Sequence, residues 1–86
     1  MKDHDPALVR KTFREVVENQ IRDNDPPETR QTYDRLLSKG IPEEEVWRLL
    51  SAVVATEMFE IVKDRRAFDR ARYVERLMAL PKLPFD

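Results

Sequence analysis

The chain has 86 residues, with 16 Lys and Arg against 17 Asp and Glu, so its formal net charge is −1. This balance argues against a strongly basic nucleic-acid binder and against a protein held electrostatically on a membrane surface. The sequence contains no cysteine, which excludes disulfides, a thiol nucleophile and thiolate metal sites.

Prolines and the single glycine mark the ends of the first two predicted helices. Asp5 and Asp25 each precede a proline, the pattern of an N-cap followed by proline at the first helical position. Gly40 suits the left-handed residue that closes a helix. We therefore predict helices over residues 6–22 and 26–39.

The third predicted helix, residues 42–65, is apolar around nearly its whole circumference. At about 100° per residue, its apolar side chains cover well over half of the helix surface. They are Val46, Trp47, Leu49, Leu50, Val53, Val54, Met58, Ile61 and Val62. Such a helix is buried on nearly all sides, so we predict that it forms the centre of the molecule. Three neighbouring helices cover it only in part, and we expect the tail or a second copy to cover the rest.

The fourth predicted helix, residues 69–80, starts with the N-cap Asp69 and a contact of Phe68 with Tyr73 across its first turn. After this helix, prolines prevent another helix and favour an extended strap that includes Leu83.

Together these elements predict an all-α fold, a compact bundle of about four helices around a central apolar third helix. We expect one domain over residues 1–86, with terminal segments 1–5 and 81–86. The longest uncharged apolar stretch, residues 49–56, is far below the roughly 20 residues of a membrane-spanning helix. Because no apolar signal segment follows the first residues and cysteine is absent, we expect a cytoplasmic protein without membrane association.

Two polar residues interrupt the apolar patterns. Glu57 lies within the apolar arc of the third helix, and Gln20 lies at the centre of the apolar stripe of the first. A buried carboxylate or amide without a partner costs about 1–3 kcal/mol, so each should have one. We predict a buried polar cluster in which Asn19, Gln20, Tyr73 or Arg72 bonds to Glu57. A role in fixing helix register is favoured, and a ligand site is the alternative.

Two acidic pairs, Glu15 with Glu18 and Glu57 with Glu60, have a spacing with which some helical bundles hold Mg²⁺ or di-iron centres. Glu15 and Glu18 project away from the apolar stripe, and neither pair has the Glu-x-x-His partner of a di-iron site. The single histidine, His4, precedes the first helix and is interpreted as a solvated side chain. We predict no metal site and no cofactor; a small metal-dependent hydrolase that uses Glu57 and Glu60 stays the alternative.

The arginines of residues 65–76 give a local excess of positive charge around the fourth helix. They complement the negative C-terminal end of the third helix, and weak RNA or anion binding is a further alternative. DNA reading by a helix-turn-helix is disfavoured, because the first turn of the recognition helix would place Glu43, Glu44 and Glu45 against phosphates.

Several short patterns resemble an uncharacterised bacterial family known only as a domain of unknown function. They are Val17-Glu18-Asn19-Gln20, Asp25-Pro26-Pro27-Glu28, Leu36-Leu37-x-x-Gly40, Glu57-x-Phe59-Glu60 and Phe68-Asp69-x-x-Arg72-Tyr73. The resemblance covers roughly residues 5–80; it implies an α-helical fold and a bacterial origin, and it supplies no activity. Many members carry histidines at positions that match Arg10, Arg14, Glu43 and Trp47. The resemblance therefore implies that any metal site formed by those histidines in relatives is lost here.

The wide apolar surface of the third helix predicts a small non-enzymatic helical module that acts through self-association or by binding a protein partner. The candidate interface residues are Trp47, Met58, Phe59, Leu83 and Phe85. The expected assembly is a homodimer or a complex with another protein, and a nucleic-acid partner is disfavoured.

Overall fold

The computed structural model describes residues 6–85, with side chains from residue 9 onward. Within this range the chain forms four helices and no strand: α1 (Pro6–Asp23), α2 (Pro27–Ser38), α3 (Glu43–Asp64) and α4 (Arg70–Ala79). The predicted all-α fold is confirmed, and each predicted helix end lies within one residue of the observed one. His4 and the predicted cap Asp5 lie outside the described residues. No helix between residues 6 and 85 is both long and apolar enough to cross a membrane.

Local chemistry sets most of the helix ends. Gly40 closes α2 with a φ of 85°, in the left-handed region that glycine adopts without strain. The Asp69 carboxylate caps α4 by accepting a hydrogen bond from the backbone N–H of Arg72 at 3.0 Å. The Phe68 ring lies 5.6 Å from the Tyr73 ring across that first turn. The predicted roles of Gly40 at the end of α2 and of Asp69 as the N-cap of α4 are thus confirmed, as is the predicted contact between Phe68 and Tyr73.

The start of α2 differs from the prediction. The N-cap is Pro26, which provides no side-chain hydrogen bond, rather than Asp25. Asn24 takes a left-handed φ of 52°, and the backbone N–H of Asp25 bonds to the Gln20 carbonyl at 3.0 Å. Asp25 therefore completes the end of α1, and its carboxylate pairs with Arg70 of α4 at 3.1 Å.

Helix α3 forms the centre of the molecule and packs against α1, α2 and α4. Its buried residues are Val46, Leu49, Leu50, Val53, Val54 and Glu57. The other helices and the tail add Val17, Leu36, Tyr73, Leu77, Leu80 and Leu83 to the core. The predicted central position of α3 is confirmed.

The tail differs from the predicted extended strap. The backbone N–H of Lys82 bonds to the Ala79 carbonyl at 3.0 Å, so the chain turns after α4 instead of running as an extended strap. Leu83 is 9% exposed and belongs to the core of its own chain, which removes it from the candidate interface. Phe85 is 67% exposed.

Candidate functional site

Glu57 lies on the buried side of α3, with 2% of its surface exposed. Two guanidinium groups of α4 hold it: Arg72 Nη2 donates to Oε1 at 3.2 Å, and Arg76 Nη1 donates to Oε2 at 2.5 Å. The two arginines are four residues apart, so they project from one face of α4 toward α3. Arg72 is among the predicted partners, whereas Arg76 was not predicted.

Glu60, almost one turn further along α3, extends this arrangement. Arg76 donates to both of its oxygens, at 3.1 and 3.2 Å, and Arg72 Nη2 lies 3.3 Å from Oε1. The hydrogen bond from Arg76 lowers the pKa of Glu60, and the hydrogen bond to Glu57 raises the pKa of Arg72. We call Glu57, Glu60, Arg72 and Arg76 the ion cluster. Its two carboxylates and two guanidinium groups balance in charge.

The ion cluster joins α3 to α4 and leaves little room for chemistry. Each carboxylate oxygen of Glu57 and Glu60 accepts a hydrogen bond from a guanidinium group, so neither carboxylate is presented to a metal ion or a reacting group. Among the described residues, no group of three or more acidic or histidine side chains could hold a metal. The geometry is that of a structural link between helices.

Gln20 belongs to a separate cluster. Its side-chain oxygen accepts hydrogen bonds from the Thr29 hydroxyl and from the Tyr73 hydroxyl, both at 2.7 Å. These residues come from α1, α2 and α4. Burial raises the pKa of Tyr73, which keeps its hydroxyl protonated and able to donate. One amide oxygen thus fixes the relative positions of three helices.

The cluster predicted as one unit is therefore two. Gln20 and Tyr73 share one set of hydrogen bonds, and Glu57 and Arg72 share another. Asn19 is exposed and lies outside both. Successive residues of a helix are rotated by about 100°, so Asn19 faces solvent when Gln20 faces the core.

Trp47 is half-buried in a corner formed by α1, α2 and α3. The Tyr33 ring lies 5.1 Å from its ring, and the Arg14 guanidinium carbon lies 4.7 Å above it. Glu43 accepts hydrogen bonds from the Tyr33 hydroxyl at 2.7 Å and from the Trp47 indole at 3.4 Å. Trp47 is thus occupied within its own chain, which weakens its place in the candidate interface. Arg14, Glu43 and Trp47 thus lie together at this corner.

The side of α3 opposite its fully buried residues carries no charged residue over about three turns, and Ala52 at its edge also packs against the core. Met58 is 48% exposed, Phe59 63% and Val62 74%. We call the full set the outer face of α3; it comprises Ser51, Ala52, Ala55, Met58, Phe59 and Val62. Of these, Met58 and Phe59 were predicted interface residues, and Val62 was predicted only as part of the apolar surface.

Two grooves border the outer face and meet at Ala52 and Ala55. One, of 790 Å³, lies between α1 and the first half of α3 and is lined in part by Trp47. The other, of 510 Å³, is lined by Phe59 of α3 and Phe85 of the tail. The structure therefore brings Phe59 and Phe85 together beside the outer face.

The arginines between residues 65 and 76 are largely neutralised within the chain. Arg66 lies 3.4 Å from Asp64, and Arg70 lies 3.1 Å from Asp25. Two others belong to the ion cluster. Four of the five arginines in this segment thus face carboxylates.

Comparison with known proteins finds no matching family model, no matching curated protein and no matching solved structure.

Proposed function

We propose that the chain is a non-enzymatic helical module that works by association, with the outer face of α3 as its contact surface. The observation that carries this proposal is an uncharged face on which Met58, Phe59 and Val62 stay exposed, on a helix whose other side forms the core. Of all residues in the chain, 38% are charged, yet none of the six residues of the outer face is; Lys63 reaches its edge, with its ammonium 5.8 Å from the Phe59 ring. Contiguous exposed apolar surface of this kind is typical of protein interaction sites.

Burial of the outer face against a partner is thermodynamically favourable. Met58, Phe59 and Val62 are each about half or more exposed, so each has apolar area left to bury. Fully burying such a side chain contributes about 1.5–3 kcal/mol. The small residues Ala52 and Ala55 let another helix approach closely.

The alternatives have less support. A hydrolase that uses Glu57 and Glu60 would first have to release both carboxylates from Arg72 and Arg76. RNA or anion binding through residues 65–76 would compete with the ion pairs that most of these arginines already make. We also propose that the protein is cytoplasmic, because a chain without cysteine forms no disulfides and does not need an oxidising compartment.

Site-specific photo-crosslinking in cells that produce the chain tests the proposal. A photoreactive phenylalanine analogue replaces Phe59 on the outer face. A matched control carries it at Met78 on α4, which is 67% exposed against 63% for Phe59. We expect adducts from position 59 and few from position 78, and we expect Ala55→Asp to suppress those from position 59.

Equal adduct yields at positions 59 and 78 would contradict the proposal. So would a yield at position 59 that Ala55→Asp leaves unchanged, because a charge at the centre of the face must disturb any contact made there. The mass of the adduct identifies the partner.

A further inference from the structure

We propose that the occupant of the outer face is a second copy of this chain, packed antiparallel along α3 with a two-fold axis near Ala55. This inference rests on the proposed function, because it names the partner of the same surface. It follows from the distribution of side-chain size and of charge along α3.

Side-chain size divides the outer face into two halves. The half before Ala55 carries the small residues Ser51 and Ala52, and the half after it carries the large residues Met58 and Phe59. An antiparallel pair places the large half of one copy against the small half of the other. A parallel pair would place large against large and small against small, which leaves crowding at one end and a gap at the other.

Helical geometry specifies the register. In an antiparallel pair centred on Ala55, this residue meets its own counterpart. Ala52 then lies opposite Phe59 of the second copy, and Ser51 lies opposite Met58 of the second copy. Small residues at the centre allow helix axes to approach to about 8 Å.

Charge, like side-chain size, differs between the two ends of α3. The first turn carries Glu43, Glu44 and Glu45. Glu44 lies 3.6 Å from Arg14 of α1 but keeps 85% of its side chain exposed. The last turn and the residues after it carry Lys63, Arg65 and Arg66 against Asp64, which pairs with Arg66. Two positive charges, those of Lys63 and Arg65, remain in excess there.

An antiparallel pair therefore brings the acidic end of each helix to the basic end of the other, and it also opposes the two helix dipoles. A parallel pair would join like charges at both ends. Charge complementarity of this kind sets orientation more than affinity.

A closed two-fold pair uses the same patch on both chains, as most homodimers do. The outer face spans about 17 Å along the helix at about 1.5 Å per residue. An interface built mainly on one helix is smaller than the roughly 800 Å² per partner of a standard stable complex. We therefore expect a dissociation constant on the order of 10 μM.

Sedimentation equilibrium of the unmodified chain tests the choice of partner. We expect the average mass to rise from 10.3 kDa toward twice that value between about 1 and 500 μM. Phe59→Asp should abolish the rise, and Met78→Asp should leave it intact. A chain that stays monomeric over this range overturns the second copy as partner. In that case, adducts from position 59 to another protein would still support the proposed function.

Disulfide trapping tests the orientation, and the absence of native cysteine makes single-cysteine variants unambiguous. Disulfides require Cα atoms about 4.4–6.8 Å apart. Under mild oxidation with diamide, we expect Ala55→Cys to form a covalent dimer by itself. Ala52→Cys and Phe59→Cys should cross-link when mixed, several times faster than either does alone.

Faster self-linking of Ala52→Cys and Phe59→Cys than of their mixture would overturn the antiparallel arrangement, since a parallel pair joins each position to itself. Met78→Cys on α4 is the control for random collision. Circular dichroism of each variant verifies that the helices are retained. Trapping no faster than the Met78→Cys control at every position would also overturn the proposed pair.

Discussion

Two arginines from a single face of α4 pair with the buried Glu57 side chain inside the bundle. Removing one member of a buried ion pair leaves an uncompensated charge, which is far more costly than the net contribution of the intact pair. The ion cluster is therefore a feature that the fold depends on without gaining much net stability from it. Its value lies in allowing one relative position of α3 and α4.

Glu57→Gln should lower the free energy of unfolding by roughly 3 kcal/mol, at the low end of the range for breaking a buried pair. The low end applies because Glu60 still binds Arg76 in the variant. Urea unfolding followed by circular dichroism measures the change. Glu75→Gln on the exposed side of α4 is the control and should change stability by less than about 0.5 kcal/mol. Equal stability of the two variants would contradict the buried-charge account.

The stability of the protein should fall in acid, and Glu60 should contribute to the fall. Its pKa is lowered in the folded chain by Arg76, below the value of about 4.3 for an unfolded glutamate. Its stabilising contribution is therefore complete above about pH 4.3 and is lost as the pH falls through the folded pKa.

Thermal unfolding between about pH 3 and 7 measures this dependence. Glu60→Gln should reduce the loss of thermal stability that accompanies the fall in pH. The rest should persist, because hydrogen bonds also lower the pKa values of Glu43 and Glu45. An unchanged pH profile in Glu60→Gln would show that the pairing with Arg76 contributes nothing.

At the level of the helices, the ends were easier to predict than the contacts between them. Caps depend on neighbours in the sequence, so Gly40 and Asp69 could be identified from local pattern alone. Asp25 shows the limit of that approach, because the same residue could start α2 or complete α1. The role of Asp25 is set by Asn24, because the left-handed conformation of Asn24 ends α1 directly before Asp25.

The Asp69 cap has a measurable role at the start of α4. Asp69→Ala should cost about 1 kcal/mol of unfolding free energy, because the backbone N–H of Arg72 loses its acceptor. Asp69→Asn should cost only a few tenths of that, since asparagine caps nearly as well. Denaturant unfolding of both variants measures the difference, and equal losses would indicate that Asp69 acts by charge alone.

Contacts across the bundle were the least predictable part. Arg35 of α2 donates to the carbonyl oxygens of Leu80 at 2.9 Å and of Leu77 at 3.1 Å, and so satisfies the end of α4. These partners are more than 40 residues apart in sequence. Nothing in local periodicity indicates which arginine will reach them. Arg76 was missed for the same reason, because its contact depends on how α4 crosses α3.

For the molecule as a whole, the number, order and bounds of the helices followed from prolines, glycine and apolar spacing. The two polar clusters were foreseen only through the positions of Glu57 and Gln20 in apolar stripes. That Gln20 and Glu57 belong to different clusters could not be foreseen, because both apolar stripes face the same core. Residue spacing does not show how far apart two buried side chains lie in the folded chain. The outer face was likewise visible only as excess apolar surface on α3.

Self-association should make thermal stability depend on protein concentration. Because a dimer must dissociate in order to unfold, each tenfold rise in concentration should raise the midpoint by about 3–5 °C once dimers predominate. Phe59→Asp should remove this dependence, whereas Met78→Asp should preserve it. Differential scanning calorimetry over a range of concentrations measures the slope, and identical slopes in both variants would contradict association through the outer face.

The corner that holds Trp47 provides an intrinsic optical reporter. The chain has a single tryptophan, so its fluorescence comes from one known place. That indole touches side chains from α1 and α2 and lies at the beginning of α3, so its emission responds to separation of any of these three helices. The ion cluster lies toward the opposite end of α3, and loosening of α4 there can proceed without moving the indole. Tryptophan emission and helical circular dichroism, recorded on one sample, can therefore distinguish detachment of α4 from loss of the whole bundle.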